Sequence, residues 1–151
     1  MIEIYNNFIS DTECDELLKY YNNNIEREWS TINGVYSFKS VDIENYNELS
    51  LSKKLKINSP KAIRIQKVDN TFKTTPNTHR HKKAWTYLIF LSDNFEGGNL
   101  IIENMNITPR KNQLIIFAAH LQHRVENVLS GDRYTFICFD NEKTKINNFL
   151  I

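Results

Sequence analysis

The sequence predicts a mainly β domain with N-terminal helices, an α+β chain whose helices pack on the outside of a double sheet. Three observations carry this. From Lys61 onward, short β-branched and aromatic runs are separated by turn residues, at the spacing of an all-β sandwich or barrel. Before residue 60 an apolar stripe at helical spacing follows a capping residue. No linker, repeat or low-complexity stretch divides the chain, so residues 1–151 are expected to form one domain. Within it, 1–60 reads as a helical support region, 61–140 as the β core and 141–151 as a tail.

Taken in order, Ile2 to Tyr5 alternates as a short strand does. Ser10 or Asp11 then offers a helix N-cap with acidic residues in the first turn. Cys14, Leu17, Leu18 and Tyr21 fall on one face, which predicts a helix over 11–22 ended by Asn22-Asn23-Asn24. Val35 to Ile43 reads as a strand, Tyr46 to Leu55 as a second short helix, and Ser59-Pro60 as a break. Strands follow at Ala62–Val68, Trp85–Leu91, Leu100–Glu103, Gln113–Phe117, Arg124–Val128 and Arg133–Phe139. Between them lie Asp69-Asn70, Gly97-Gly98, Pro109 to Asn112 and Ser130-Gly131-Asp132.

Composition narrows the function. With 40% apolar and 12% aromatic residues, the 151-residue chain can bury a core without staples. Nineteen basic and 18 acidic side chains give a net charge of +1, with no basic stripe of the kind nucleic acid demands. Two cysteines without a Cys-x-x-Cys pair argue against a cysteine zinc site and read as small buried side chains. The first residues show no basic segment followed by an apolar stretch, so no signal peptide is expected, and no apolar run approaches the ~18 residues of a membrane span. The expected location is the cytoplasm.

The chemistry centres on histidine. In an extended segment i and i+2 share a face, so His79 and His81 form a natural metal pair, though two solvated loop histidines would look the same. Downstream, His123 opens a run that turns at Gly131 into Arg133-Tyr134-Thr135. Two strands of one sheet joined by that turn would bring His123 and Arg133 to one cavity. Arg133 and Thr135 share a face, and a guanidinium beside a hydroxyl suits a carboxylate. His120 reads as a loop histidine, Lys82 and Lys83 as solvated.

The stretch from His79 to Phe139 resembles the core of the iron(II)- and 2-oxoglutarate-dependent oxygenases, most closely their small prolyl-4-hydroxylase-like branch. The matching residues are Phe90-Leu91-Ser92, Phe95-Glu96-Gly97-Gly98, Pro109-Arg110-Lys111 and the closing run from His123 to Tyr134, with Ile4 to Ser10 before an acidic helix. The closing run is the specific part. This resemblance implies a double-stranded β-helix (jelly-roll, cupin-like) core and a dioxygenase that uses Fe(II), 2-oxoglutarate and O2 to hydroxylate a substrate. It implies His79 and His123 as metal ligands, Arg133 on the far carboxylate of 2-oxoglutarate and Thr135 as a hydroxyl partner. The substrate would be a prolyl residue in a peptide, a free amino acid or another small molecule. By elimination, residues 25–60 and 69–78 are expected to face it.

Two positions depart from the pattern. Phe90 stands where relatives often keep a tyrosine that touches the cosubstrate. His81 stands where the family has its acidic ligand, and Arg80, Lys82 and Lys83 offer no carboxylate in another register. Three readings follow: a three-histidine site with His81 ligating, a site held by two histidines, or a fold that keeps its shape as a binding module without iron chemistry. A three-histidine metalloenzyme of another class is a further alternative, in which Arg133 would have no evident task. If His81 ligates, neutral imidazole in place of carboxylate raises the site's charge by one unit. That favours bound anions and disfavours the higher oxidation states of iron.

Overall fold

The computed structural model describes residues 2–30, 37–58, 60–71 and 84–146. Strand β1 (Ile2–Tyr5) leads into helix α1 (Asp11–Asn22). A capping box fixes the start of that helix: Glu13 N donates to Ser10 Oγ at 3.1 Å and Ser10 N donates to Glu13 Oε1 at 2.9 Å. The helix buries Cys14, Leu17 and Tyr21, the stripe its sequence spacing marks out. Then come β2 (Arg27–Ser30), β3 (Ser37–Asp42), β4 (Pro60–Val68), β5 (Trp85–Phe90), β6 (Glu96–Gly97), β7 (Leu100–Ile102), β8 (Met105–Ile107), β9 (Leu114–Ala118), β10 (His123–Val125), β11 (Val128–Ser130) and β12 (Arg133–Asp140).

Seven strands form one antiparallel sheet in the order β1-β9-β5-β12-β4-β3-β2. Two smaller sheets, β10-β7-β8 and β11-β6, complete the β structure among the described residues. Each long strand of the large sheet alternates between two cores. Tyr87 and Ile89 of β5, Phe136 and Cys138 of β12, and Leu114 and Ile116 of β9 join α1 in one buried cluster. Leu88 and Phe90, Ile137 and Phe139, and Ile115 and Phe117 face the other way, onto Leu100, Ile102 and Ile107 of the three-stranded sheet. A strand buried on both faces reads as an unbroken apolar run, which is why Trp85 to Phe90 shows no polar alternation.

Several expectations need correction. The helix expected over 46–55 is two 3-10 turns, Tyr46–Glu48 and Ser50–Lys53, with Leu49 extended between them at φ −86°, ψ 145°. Ser50 is held there by Glu16, whose carboxylate accepts from its backbone N at 2.8 Å and its hydroxyl at 3.0 Å. Tyr46, Leu49, Leu51 and Leu55 are all buried, so packing overrides the helical spacing. The strand expected over 124–128 is broken in two: β10 pairs with β7, and β11 pairs with β6. Between them Glu126 N donates to Asn99 O, and Asn127 O accepts from Gly98 N. Three strands escaped the sequence reading. β2 is mostly polar, and β6 and β8 are two and three residues long. Of the N-terminal strands that join the large sheet, β1 and β3 fall where the sequence places strands and β2 does not.

Candidate active site

Arg133 opens β12 on the face that packs against the small sheets. Its guanidinium is 1% exposed. Nε donates to the Gly98 carbonyl at 2.9 Å, and Cζ lies 5.3 Å from the centre of the Phe90 ring. Among the described residues no carboxylate pairs with it, and Nη2 is buried without a hydrogen-bond partner. Burial pushes its pKa down to about 10, so it is still a cation at neutral pH. Two residues on, Thr135 is fully buried and its Oγ1 is likewise unpartnered. A buried cation and a buried hydroxyl, both with unused hydrogen-bonding capacity on one face, are costly unless an anionic ligand takes them up. The residues present therefore fit a carboxylate.

Sequence reasoning missed the roles of Gly98 and Phe90. Gly98 has φ +67°, and a Cβ there would lie 2.9 Å from Arg133 Cδ and 3.0 Å from the Phe95 ring. The second glycine of Gly97-Gly98 thus lets the arginine stem pass and presents the carbonyl that orients Nε. Phe90 is the register partner of Thr135 and the platform under Arg133. The loss of a tyrosine hydroxyl there leaves an aromatic face with a different task.

His123 begins β10 opposite Ile102. Its ring meets Phe117 edge-on, with centroids 5.1 Å apart. Nδ1 lies 2.9 Å from the Leu121 carbonyl. A carbonyl can only accept, so Nδ1 carries the proton in this contact. A ring held by Nδ1 on a backbone carbonyl is the way a metal-ligating histidine is commonly oriented, with Nε2 turned to the metal. His123 and Arg133 do not sit on two strands of one sheet, as the turn at Gly131 suggested. β10 belongs to a small sheet and β12 to the large one. Both border the same apolar cluster, His123 through Phe117 and Arg133 through Phe90. His79 and His81, with Lys82 and Lys83, lie outside the described residues. Among the described residues no three His, Cys, Asp or Glu side chains are grouped to hold a metal. His120 is exposed in a turn. Cys14 and Cys138 are buried free thiols, as expected, with burial pushing their pKa values up to about 11 and about 12. No described helix is long and apolar enough to cross a membrane.

A sequence model of the 2OG-Fe(II) oxygenase superfamily matches residues 65–140, which is half of the chain and includes both His123 and Arg133. The chain belongs to that superfamily. It is accordingly a 2-oxoglutarate-dependent oxygenase, and the cofactors of the family are Fe(II), 2-oxoglutarate and O2. No curated protein matches the sequence. Solved structures of similar fold include three relevant ones. The viral collagen prolyl hydroxylase of Paramecium Bursaria Chlorella virus-1, in its 2OG complex, has a TM-score of 0.63 at 16% identity, covering 91% of this chain and 94% of that one. A prolyl-4-hydroxylase of Pseudomonas putida has a TM-score of 0.64 at 10% identity, covering 94% and 92%. A prolyl hydroxylase of Trichoplax adhaerens, in complex with a hypoxia inducible factor peptide fragment, has a TM-score of 0.67 at 16% identity, covering 91% and 82%.

Proposed function

We propose that this oxygenase is a hydroxylase built on a double-stranded β-helix, with a three-histidine metal site of His79, His81 and His123. Arg133 and Thr135 anchor the distal carboxylate of 2-oxoglutarate. One observation carries the reading: the Arg133 guanidinium is sealed in the protein without a counter-ion among the described residues, beside an unpartnered Thr135 hydroxyl. The β-helix assignment is supported by the long antiparallel sheet facing two small ones, and by the TM-scores of the oxygenases above. Peptide substrates are proposed because two of those neighbours are prolyl hydroxylases described with collagen or with a peptide.

Bound Fe(II) would supply the redox chemistry that couples decarboxylation of 2-oxoglutarate to succinate with hydroxylation of a C–H bond. The chain's residues do the rest. Arg133 Nη2 takes the carboxylate in a charge-assisted hydrogen bond, and Thr135 donates its hydroxyl proton to it. Gly98 O holds Nε so that the guanidinium cannot swing away. Leu88, Ile115, Phe117 and Ile137 line the same face and keep water off these contacts. Leu121 O fixes the His123 proton on Nδ1, keeping Nε2 as the donor nitrogen for the metal. In the proposed site His81 fills the position of the acidic ligand.

Anaerobic titration of the protein with Fe(II) and then 2-oxoglutarate tests this. The expected result is a weak visible charge-transfer band and, on admitting air, succinate. Metal binding without the band would point to a three-histidine enzyme of another class. No metal binding would leave only a binding module.

A further inference from the structure

The face that carries Arg133 and Thr135 holds one more polar side chain beside them. Strand register places it. Thr135 is opposite Phe90 on one side and Gln66 on the other, and Gln66 is opposite Ser40. Directly opposed residues of paired strands point to the same side, with Cβ atoms about 5 Å apart. Gln66 therefore stands beside the unpartnered Thr135 hydroxyl, on the same face. It is half-buried, and its carboxamide has no hydrogen-bond partner among the described residues. The other side chains around this point are accounted for. Phe90 and Ile137, the remaining neighbours of Thr135, are apolar. Gln113, which lies beyond Phe90, donates through Nε2 to Asn6 Oδ1 at 2.8 Å. Around Gln66 itself, Val68 packs with Val128, while Ser40 and Arg64 have partners of their own.

We infer that Gln66 is a third binding residue for the distal carboxylate of 2-oxoglutarate, donating its amide protons from β4. The inference rests on the hydroxylase reading and deepens it. A carboxylate has about four lone-pair sites. Arg133 Nη2 and Thr135 Oγ1 fill two of them. An oxygen left bare in a recess walled by Phe90 and Ile137 would lose its water without replacement. The ring of Phe90 offers no such donor, and Gln66 is the polar side chain left on this face to supply it. Three donors around one end of the ligand also set specificity. The site should choose 2-oxo acids that carry a second carboxylate over those that end in a methyl group, because the latter would leave all three donors unpaired.

The test uses the protein loaded anaerobically with Fe(II). Two probes are titrated: 2-oxoglutarate, and 2-oxopentanoate, which keeps the 2-oxo acid end and lacks the distal carboxylate. The charge-transfer band and the thermal shift both report Kd. Gln66→Leu removes the carboxamide at similar volume. It should weaken 2-oxoglutarate about ten-fold or more and leave 2-oxopentanoate within about two-fold of wild type. Gln66→Asn keeps the amide on a shorter stem and should fall between wild type and Gln66→Leu. Gln66→Glu sets a second carboxylate against the ligand's own and should weaken 2-oxoglutarate most. Fe(II) binding without cosubstrate reports that each variant is folded. Unchanged 2-oxoglutarate affinity in Gln66→Leu, or equal weakening of both probes, would overturn the inference. Failure of the hydroxylase reading is distinct: the wild type itself would then give neither band nor 2-oxoglutarate shift, and the inference would fall with it.

Discussion

Replacing Arg133 by methionine separates an arginine kept for a ligand from one kept for the fold. The guanidinium is 1% exposed and burial lowers its pKa to about 10. A cation with a depressed pKa is penalised in the folded state, so at every pH below about 10 its charge works against stability. That penalty is on the order of 3 kcal/mol at neutral pH, at ~1.4 kcal/mol per pKa unit. Methionine removes it and fills much of the same apolar stem. Against this, the Gly98 carbonyl loses its donor, costing about 1–3 kcal/mol, and the contact with Phe90 loses about 0.5–2 kcal/mol. The terms nearly cancel, so Arg133→Met should lie within about 2 kcal/mol of wild type, a Tm change of at most roughly 8 °C. The ligand response should differ sharply. Wild type with Fe(II) and 2-oxoglutarate at 100 times Kd gains about 2.7 kcal/mol, roughly 5–11 °C. The variant should gain almost nothing. Differential scanning fluorimetry under nitrogen measures both. A variant that unfolds without ligand would make Arg133 a structural post, and one that keeps the 2-oxoglutarate shift would place the cosubstrate elsewhere.

Other expectations are simpler to check. His81→Asp restores a carboxylate to the proposed metal site and should raise the rate of succinate formation; a much slower variant would show that imidazole is the better ligand here. Gly98→Ala forces a Cβ to 2.9 Å from Arg133 Cδ at φ +67°, so it should cost about 1–3 kcal/mol and weaken 2-oxoglutarate binding, read by chemical denaturation and by the anaerobic band. Ser10→Ala removes the hydroxyl half of the capping box and should cost about 1 kcal/mol in the same denaturation assay, with 2-oxoglutarate affinity unchanged. Cys14 and Cys138, buried with raised pKa values, should resist a thiol reagent at pH 8 in the native protein and react fully in guanidinium chloride.

What the sequence made legible follows how local each signal is. The first helix could be read to its bounds because its cap, its acidic first turn and its apolar stripe lie within twelve residues. The central strands β5, β9 and β12 were readable as apolar runs, being buried on both faces. The turns at 46–53 were not, because Leu49 and Leu51 are set by a core assembled from distant strands and by the grip of Glu16 on Ser50. The break between β10 and β11 was hidden for a similar reason: each half pairs with a partner some 20 or more residues earlier. At the site, Arg133, Thr135 and His123 were visible from the closing run. Gly98 was not singled out, since two adjacent glycines mark a turn whether or not an arginine passes over them.

The Arg133–Gly98 contact spans 35 residues of chain, and β12 must also zip onto both β4 and β5 before the guanidinium has its surroundings. Such non-local pairings form late on the way to the native state. The proposed anion pocket is therefore a property of the finished molecule and not of its folding nucleus. Cosubstrate should then leave the refolding rate nearly untouched and slow unfolding instead, by up to about 100-fold at 100 times Kd. For this protein the practical effect of 2-oxoglutarate is a longer-lived native state: lifetime under heat or protease, more than speed of folding, will follow the supply of its own cosubstrate.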